Sequence, residues 1–180
     1  MFNNLKNNSQ GLTLMETTIA LGILMIGVLA TVTLLLATFN YVQQSEQEIV
    51  VVNLAREGIE IARAMRNSED PNKASDVDIF DNSYDNQKFH LDSDDPNTAA
   101  TLSANSVTGA NAASDCSQCQ LYLNNGKYTH DTGQLTNFKR MITVEPGDSN
   151  KEKKIISEVS WTFKGQTHSY TLETYLTDWQ

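Results

Sequence analysis

Residues 12–40 read LTLMETTIALGILMIGVLATVTLLLATFN, and this stretch decides the fold. From Ile19 to Ala37 no side chain is charged and most are apolar. As a helix that run spans about 28 Å, close to the ~30 Å hydrocarbon core of a bilayer. Leu12 and Leu14 extend the apolar stretch toward the N-terminus. A secretory signal has a shorter apolar core and a small-x-small cleavage site. Leu35-Leu36-Ala37 lacks the small residue two positions before the alanine. The stretch therefore predicts a membrane-spanning helix. Lys6 precedes it, and no Lys or Arg follows from Phe39 until Arg56. The excess of basic residues on the cytoplasmic side then places residues 1–11 inside and the C-terminal part outside.

The whole chain has 180 residues, enough for one modest domain with appendages. Its net charge of −9 argues against a phosphate-binding surface, so no nucleic acid is expected as a partner.

Just before the apolar run stands Ser9-Gln10-Gly11-Leu12-Thr13-Leu14-Met15-Glu16-Thr17-Thr18-Ile19-Ala20. A short polar leader ends in Gly11, an apolar residue follows at once, and a single carboxylate, Glu16, enters the apolar segment. A charge deep in a bilayer costs roughly 2.5–3.5 kcal/mol on insertion scales, so one found there usually has a partner. The plain alternative is a carboxylate in the first helical turn, where the helix dipole favours negative charge. The combination of Gly11, an immediate apolar start, Glu16 and an uninterrupted apolar run resembles the prepilin cleavage motif of type IV pilins and type II secretion pseudopilins.

The resemblance implies cleavage between Gly11 and Leu12 by a prepilin peptidase, followed by N-methylation of Leu12. It implies that Glu16 pairs with the Leu12 amino group of a neighbouring subunit during assembly on an inner-membrane platform. Physics agrees with that role, since a buried carboxylate needs a cation and a new amine is close at hand. Leu12 stands where Phe is commoner in the family. The Ala30-Thr31-Val32-Thr33-Leu34 region has no Pro, which many major pilins carry there. An unkinked helix is expected, and the departure favours a minor pilin or a pseudopilin.

The helical pattern continues past Ala37. Val51, Ala55, Ile59, Ala62 and Met65 recur at helical spacing, and Asn67-Ser68 followed by Pro71 ends the run. Residues 38–67 are thus expected to form an amphipathic extracytoplasmic half of one long helix.

Residues 68–114 are polar and acidic, with little apolar periodicity. Asp76, Asp78 and Asp81 are weak candidates for Ca²⁺, as are Asp92-Ser93-Asp94-Asp95. Hard cations favour clustered oxygens, but neither run has the glycine and distal glutamate of an EF-hand loop. A solvated loop is the main expectation, with Thr98–Ser114 a flexible excursion.

Residues 115–180 change to alternation. Gln120–Leu123 and Lys127–His130 flank the turn signal Asn124-Asn125-Gly126. Phe138, Ile142 and Val144 alternate along 136–145. Ile155, Val159, Trp161 and Phe163 alternate along 154–163, and Tyr170, Leu172 and Leu176 along 168–176. Pro146-Gly147-Asp148 and Gly165-Gln166 are turns. The predicted fold is α+β: a long N-terminal helix, transmembrane then amphipathic, packed under a C-terminal antiparallel β-sheet. Trp161 and Trp179 are expected to close the core. The Phe138–Val144 and Ser160–Trp179 stretches look similar to minor pilins of the PilV type.

Cys116 and Cys119 are the only cysteines. Outside the cytoplasm C-x-x-C suggests a local disulfide, contributing about 2 kcal/mol. Zinc with His130, or a thioredoxin-like role, is a lesser alternative. His90, His130 and His168 are scattered, with surface or loop positions the default. No nucleophile elbow, phosphate loop or H-E-x-x-H occurs, and nothing recommends an enzyme. Four functions follow in order: a minor pilin, a secretion pseudopilin, a DNA-uptake pilin using Lys151–Lys154, and a bitopic protein that never polymerises.

Overall fold

The computed structural model describes residues 13–68, 78–79, 81–95, 98–149 and 151–178. The chain divides into two compact units, Met1–Ser45 and Glu46–Gln180. Helix α1 (Leu14–Ser68) is 55 residues long, begins in the first unit and ends in the second. No proline interrupts it, and good helix formers (Leu, Met, Ala) recur throughout, among β-branched Ile, Val and Thr.

In the first unit every residue of the helix from Leu14 to Leu36 is exposed. The polar side chains of this stretch fold back on its own backbone. The hydroxyls of Thr17, Thr18, Thr31, Thr33 and Thr38 each donate to a carbonyl three or four residues earlier, at 2.8–2.9 Å. A hydroxyl bonded in this way enters hydrocarbon without an unmet polar group. This helix is long and apolar enough to cross a membrane.

In the second unit the same helix buries one face. Val51, Ala55, Ile59, Ala62 and Met65 are all buried, as the spacing predicts, and Leu54, Gly58 and Ile61 widen the stripe. Each large apolar side chain removed from water there is worth about 1.5–3 kcal/mol. Ser68 closes the helix by donating its hydroxyl to the Met65 carbonyl at 3.0 Å.

The stripe packs on an antiparallel sheet of six strands: β1 (Gln87–Phe89), β2 (Gln120–Asn124), β3 (Lys127–Thr129), β4 (Gln134–Pro146), β5 (Glu152–Phe163) and β6 (Gln166–Thr177). The order is β3-β2-β4-β5-β6, with β1 also pairing β4. The β2–β3 turn is Asn125-Gly126, with φ of 50° and 84°. The second hairpin turns at Lys164-Gly165 (φ 52° and 79°), one residue before the expected Gly165-Gln166. Positive φ at both central positions is the hairpin geometry that matches strand twist.

One sheet face carries Phe138, Ile142, Val144, Ile155, Val159 and Trp161, which cluster with the α1 residues. Their register partners confirm a shared face: Phe138 opposes Trp161 and Val144 opposes Ile155. The opposite face is covered too. Met141 is buried in a cluster with Val107, Ala110, Ala113, Cys116 and Cys119.

Residues 68–114 are therefore less loop-like than expected. They supply β1, helix α2 (Ala99–Ala104), capped by the Thr98 hydroxyl at 3.2 Å from the Thr101 amide, and buried Ile79, Phe89, Leu91 and Leu102. The flexible excursion proposed for Thr98–Ser114 is corrected: Leu102, Val107, Ala110 and Ala113 are buried. They follow no helical or strand period because tertiary contacts, not a repeating face, hold them. Trp161 is in the core as expected; Trp179 lies outside the described residues.

Candidate functional site

Gly11 and Leu12 also lie outside the described residues. Glu16 is within reach. It sits in the first turn of α1, its amide 3.0 Å from the Thr13 carbonyl and 3.4 Å from the Thr13 hydroxyl. Its neighbours Leu14, Met15 and Ile19 are well exposed. A lone carboxylate thus stands at the end of an uncovered apolar surface that runs beyond Val42. That arrangement cannot do acid–base chemistry by itself. It can recruit a cation and apolar partners from another molecule.

In the acidic runs Asp81, Asp92, Asp94 and Asp95 are engaged by groups of the protein itself. Asp76 lies outside the described residues. Asp81 is turned to its own backbone, accepting the Ser83 amide at 2.8 Å. That bond, followed by one with the Ser83 side chain, holds its carboxyl below the ordinary range. Among the described residues no group of three His, Cys, Asp or Glu side chains is placed to hold a metal ion.

The run from Asp92 to Asp95 instead feeds a buried charge cluster that the sequence did not announce. Arg140 on β4 faces α1 and is fully buried. Its Nη2 donates to the Leu91 carbonyl at 2.8 Å and to Asp92 Oδ1 at 3.2 Å. Its Nη1 lies 3.1 Å from Glu57 Oε2 on α1, an ion pair outside hydrogen-bond geometry. Asp92 also accepts the His130 amide at 2.7 Å, the Thr129 hydroxyl at 2.8 Å and His130 Nδ1 at 2.7 Å. Burial alone would push the Asp92 carboxyl up. The His130 side-chain bond and charge, with the His130 amide and Thr129 hydroxyl, outweigh it and hold the carboxyl at about 2. His130 is thus buried against Asp92, with Nε2 3.3 Å from the Arg140 carbonyl, and not at the surface. Beside it, His90 lies with its ring centroid 5.4 Å away. Burial, then the neighbouring His130, lowers the His90 pKa against the pull of Asp92, Asp95 and Asp131. The cluster ties helix, loop, hairpin and sheet together.

Cys116 and Cys119 are joined in a disulfide, with both residues buried. Neither sulfur is then a thiolate ligand, and both His130 ring nitrogens face oxygen acceptors. The basic run at 151–154 is dispersed. Lys153 is buried and pairs with Asp85 and, at 3.0 Å, with Asn82. Lys154 sits between Glu173 at 3.0 Å and Glu145 at 3.7 Å. Two of the run's three lysines are already neutralised, which leaves little for a phosphate backbone.

A buried cation could have been suspected only from Arg140 standing in an otherwise apolar strand face, Phe138, Ile142 and Val144. No family model matches the chain, and no curated protein or solved structure matches it either.

Proposed function

We propose that this chain is a subunit of a type IV pilin-like filament, a minor pilin, held in the inner membrane by α1 before assembly with Glu46–Gln180 outside the cytoplasm. The observation that carries the reading is the division of labour along one helix. Its N-terminal part buries nothing, and residues 51–65 form the floor of a folded unit. A monomer that keeps so large an apolar surface bare must place it in lipid or against copies of itself. A helix that can leave a bilayer for a bundle of like helices meets both needs in turn.

The Gly11-Leu12 junction and Glu16 supply the processing and assembly chemistry that the motif implies. After cleavage the Leu12 amine is a cation for Glu16, which has none beside it among the described residues. The absence of proline within Leu14–Ser68 fits a minor pilin or a type II secretion pseudopilin. The two share the same N-terminal chemistry and differ in the machine they serve. The DNA-uptake reading loses its candidate patch in the pairing of Lys153 and Lys154.

Co-expression with a prepilin peptidase, followed by intact-mass and N-terminal peptide analysis of the membrane-extracted product, tests the proposal. Loss of residues 1–11 with a methylated Leu12 is the expected result. An uncut chain, or a cut near Ala37, would overturn it.

A further inference from the structure

The outer face of the sheet is covered around β4 by residues 107–119, which act as a strap. Its apolar side chains Val107, Ala110, Ala113, Cys116 and Cys119 cover Met141. Three charged side chains of the sheet reach up to the strap's backbone. Lys88 Nζ donates to the carbonyls of Ala110 at 2.8 Å and Asn111 at 3.2 Å. Lys139 Nζ donates to the Ser114 carbonyl at 2.7 Å, and Glu158 accepts the Ala113 amide at 3.1 Å. At the strap's end the Cys119 carbonyl accepts the amide of Arg140 at 2.9 Å. The disulfide therefore shapes the turn that delivers the strap to the strand bearing the buried cation.

Both half-cystines are almost without accessible surface, Cys116 at 2% and Cys119 at 0%. Thiol–disulfide exchange requires a thiolate to approach one sulfur directly, through a mixed disulfide. In the closed fold neither sulfur can be approached.

We infer that the Cys116–Cys119 bond is made on the undocked strap by a disulfide-bearing oxidase outside the cytoplasm, and that docking then seals it against exchange. In that step one cysteine thiolate attacks the oxidase disulfide and forms a mixed disulfide. The second cysteine displaces the oxidase sulfur, and two electrons and two protons pass from this chain to leave the oxidase as a dithiol. Oxidation thus precedes closure of the strap over the sheet, since a strap that docks while reduced buries both thiols away from an oxidant. The inference rests on the proposed extracytoplasmic side for Glu46–Gln180 and not on whether the N-terminus is processed.

The test uses the full chain in detergent micelles. Native protein is treated with a small phosphine reductant and an alkylating agent, and the thiols labelled are counted by mass. Reduction is expected to be about 100-fold or more slower than in a peptide of residues 113–121, as access limited by local opening dictates. A peptide-like rate in the native chain would overturn the seal. In a Lys88→Met/Lys139→Met chain the expected rate rises at least about tenfold, because the strap opens more often. An unchanged rate would remove the strap as the shield. A measurement that needs no variant examines the order of events. The reduced chain is refolded and offered glutathione disulfide, with and without urea. Slow oxidation when folded and fast oxidation in urea is the expected pair of results, and equal rates would overturn the order.

Discussion

Asp92 accepts four hydrogen bonds on two oxygens, from the Thr129 hydroxyl, the His130 amide and ring, and Arg140. Its carboxyl is held at about 2, against an ordinary 3.8. A carboxyl depressed by folding contributes stability that is present above its unfolded value, here about pH 4, and lost as the pH falls toward 2. His90 works in the same direction. Its pKa is lowered from 6.5, so the fold prefers the neutral ring. That contribution is complete above pH 6.5 and is lost on acidification below it. The denaturant midpoint should therefore fall as pH drops from 7 to 5, and His90→Gln should flatten that part of the profile. Asp92→Asn at pH 7 should cost about 2–3 kcal/mol. That is below the usual toll for stripping a buried pair, because Asp92 is partly exposed and Glu57 still faces Arg140. A urea titration that found the two variants equal to wild type at every pH would contradict this account.

At the scale of elements, α1 comes close to the sheet at Gly58. A Cβ there would stand 2.3 Å from Ser157 Oγ, 3.1 Å from Ser157 Cβ and 3.4 Å from Arg140 Cδ. Alanine gains about 1 kcal/mol of helix propensity over glycine, while overpacking a close contact costs about 1–3 kcal/mol. The clash should win, since Ser157 is fully buried and its Cβ cannot move away. Gly58→Ala is expected to lower stability by about 1 kcal/mol net. Adding Ser157→Ala should restore most of it, because the nearest atom is then gone. Chemical denaturation of the two single variants and the double variant measures the coupling.

Much of the architecture was legible in the sequence because its signals are local. Asn125-Gly126 marks a hairpin, Val51 to Met65 keep helical spacing, and Ile155 to Trp161 keep strand spacing. The uncharged stretch from Ile19 to Ala37 announces a span without reference to anything else. What stayed hidden depends on distant partners. Arg140 and Lys153 look like solvent-facing breaks in apolar strands until Asp92, Glu57 and Asp85 arrive from elsewhere. β1 is three residues long, too short to carry a period, and it exists because β4 offers it an edge. The strap is made of small side chains, whose burial leaves almost no hydrophobic signal. Of the candidate site, Glu16 lies at the start of α1, and Gly11 and Leu12 fall outside the described residues.

For the whole molecule, Glu46–Gln180 contains every buried cluster, both covers of the sheet and the disulfide. A chain starting at residue 46 should therefore be soluble and unfold in one cooperative transition, while a chain starting at residue 69 should not fold. The second removes Val51, Leu54, Ile59, Ile61 and Met65 from beneath the sheet. Circular dichroism and gel filtration of the two fragments check this. A folded, monomeric product beginning at residue 69 would mean that the helix is dispensable to the core.

Glu57, Asp92, His130 and Arg140 come from four separate segments and meet in one buried place. Loss of Arg140 leaves Asp92 and Glu57 without the cation they share, and loss of Asp92 leaves Arg140 to Glu57 alone. Inheritance at these positions is then collective. A lineage that changes Arg140 must change its acidic companions within few generations or lose the protein, while alanines in the strap can drift singly. Across relatives of this chain the four should be found kept together or replaced together, and that joint pattern would trace descent where overall identity has faded.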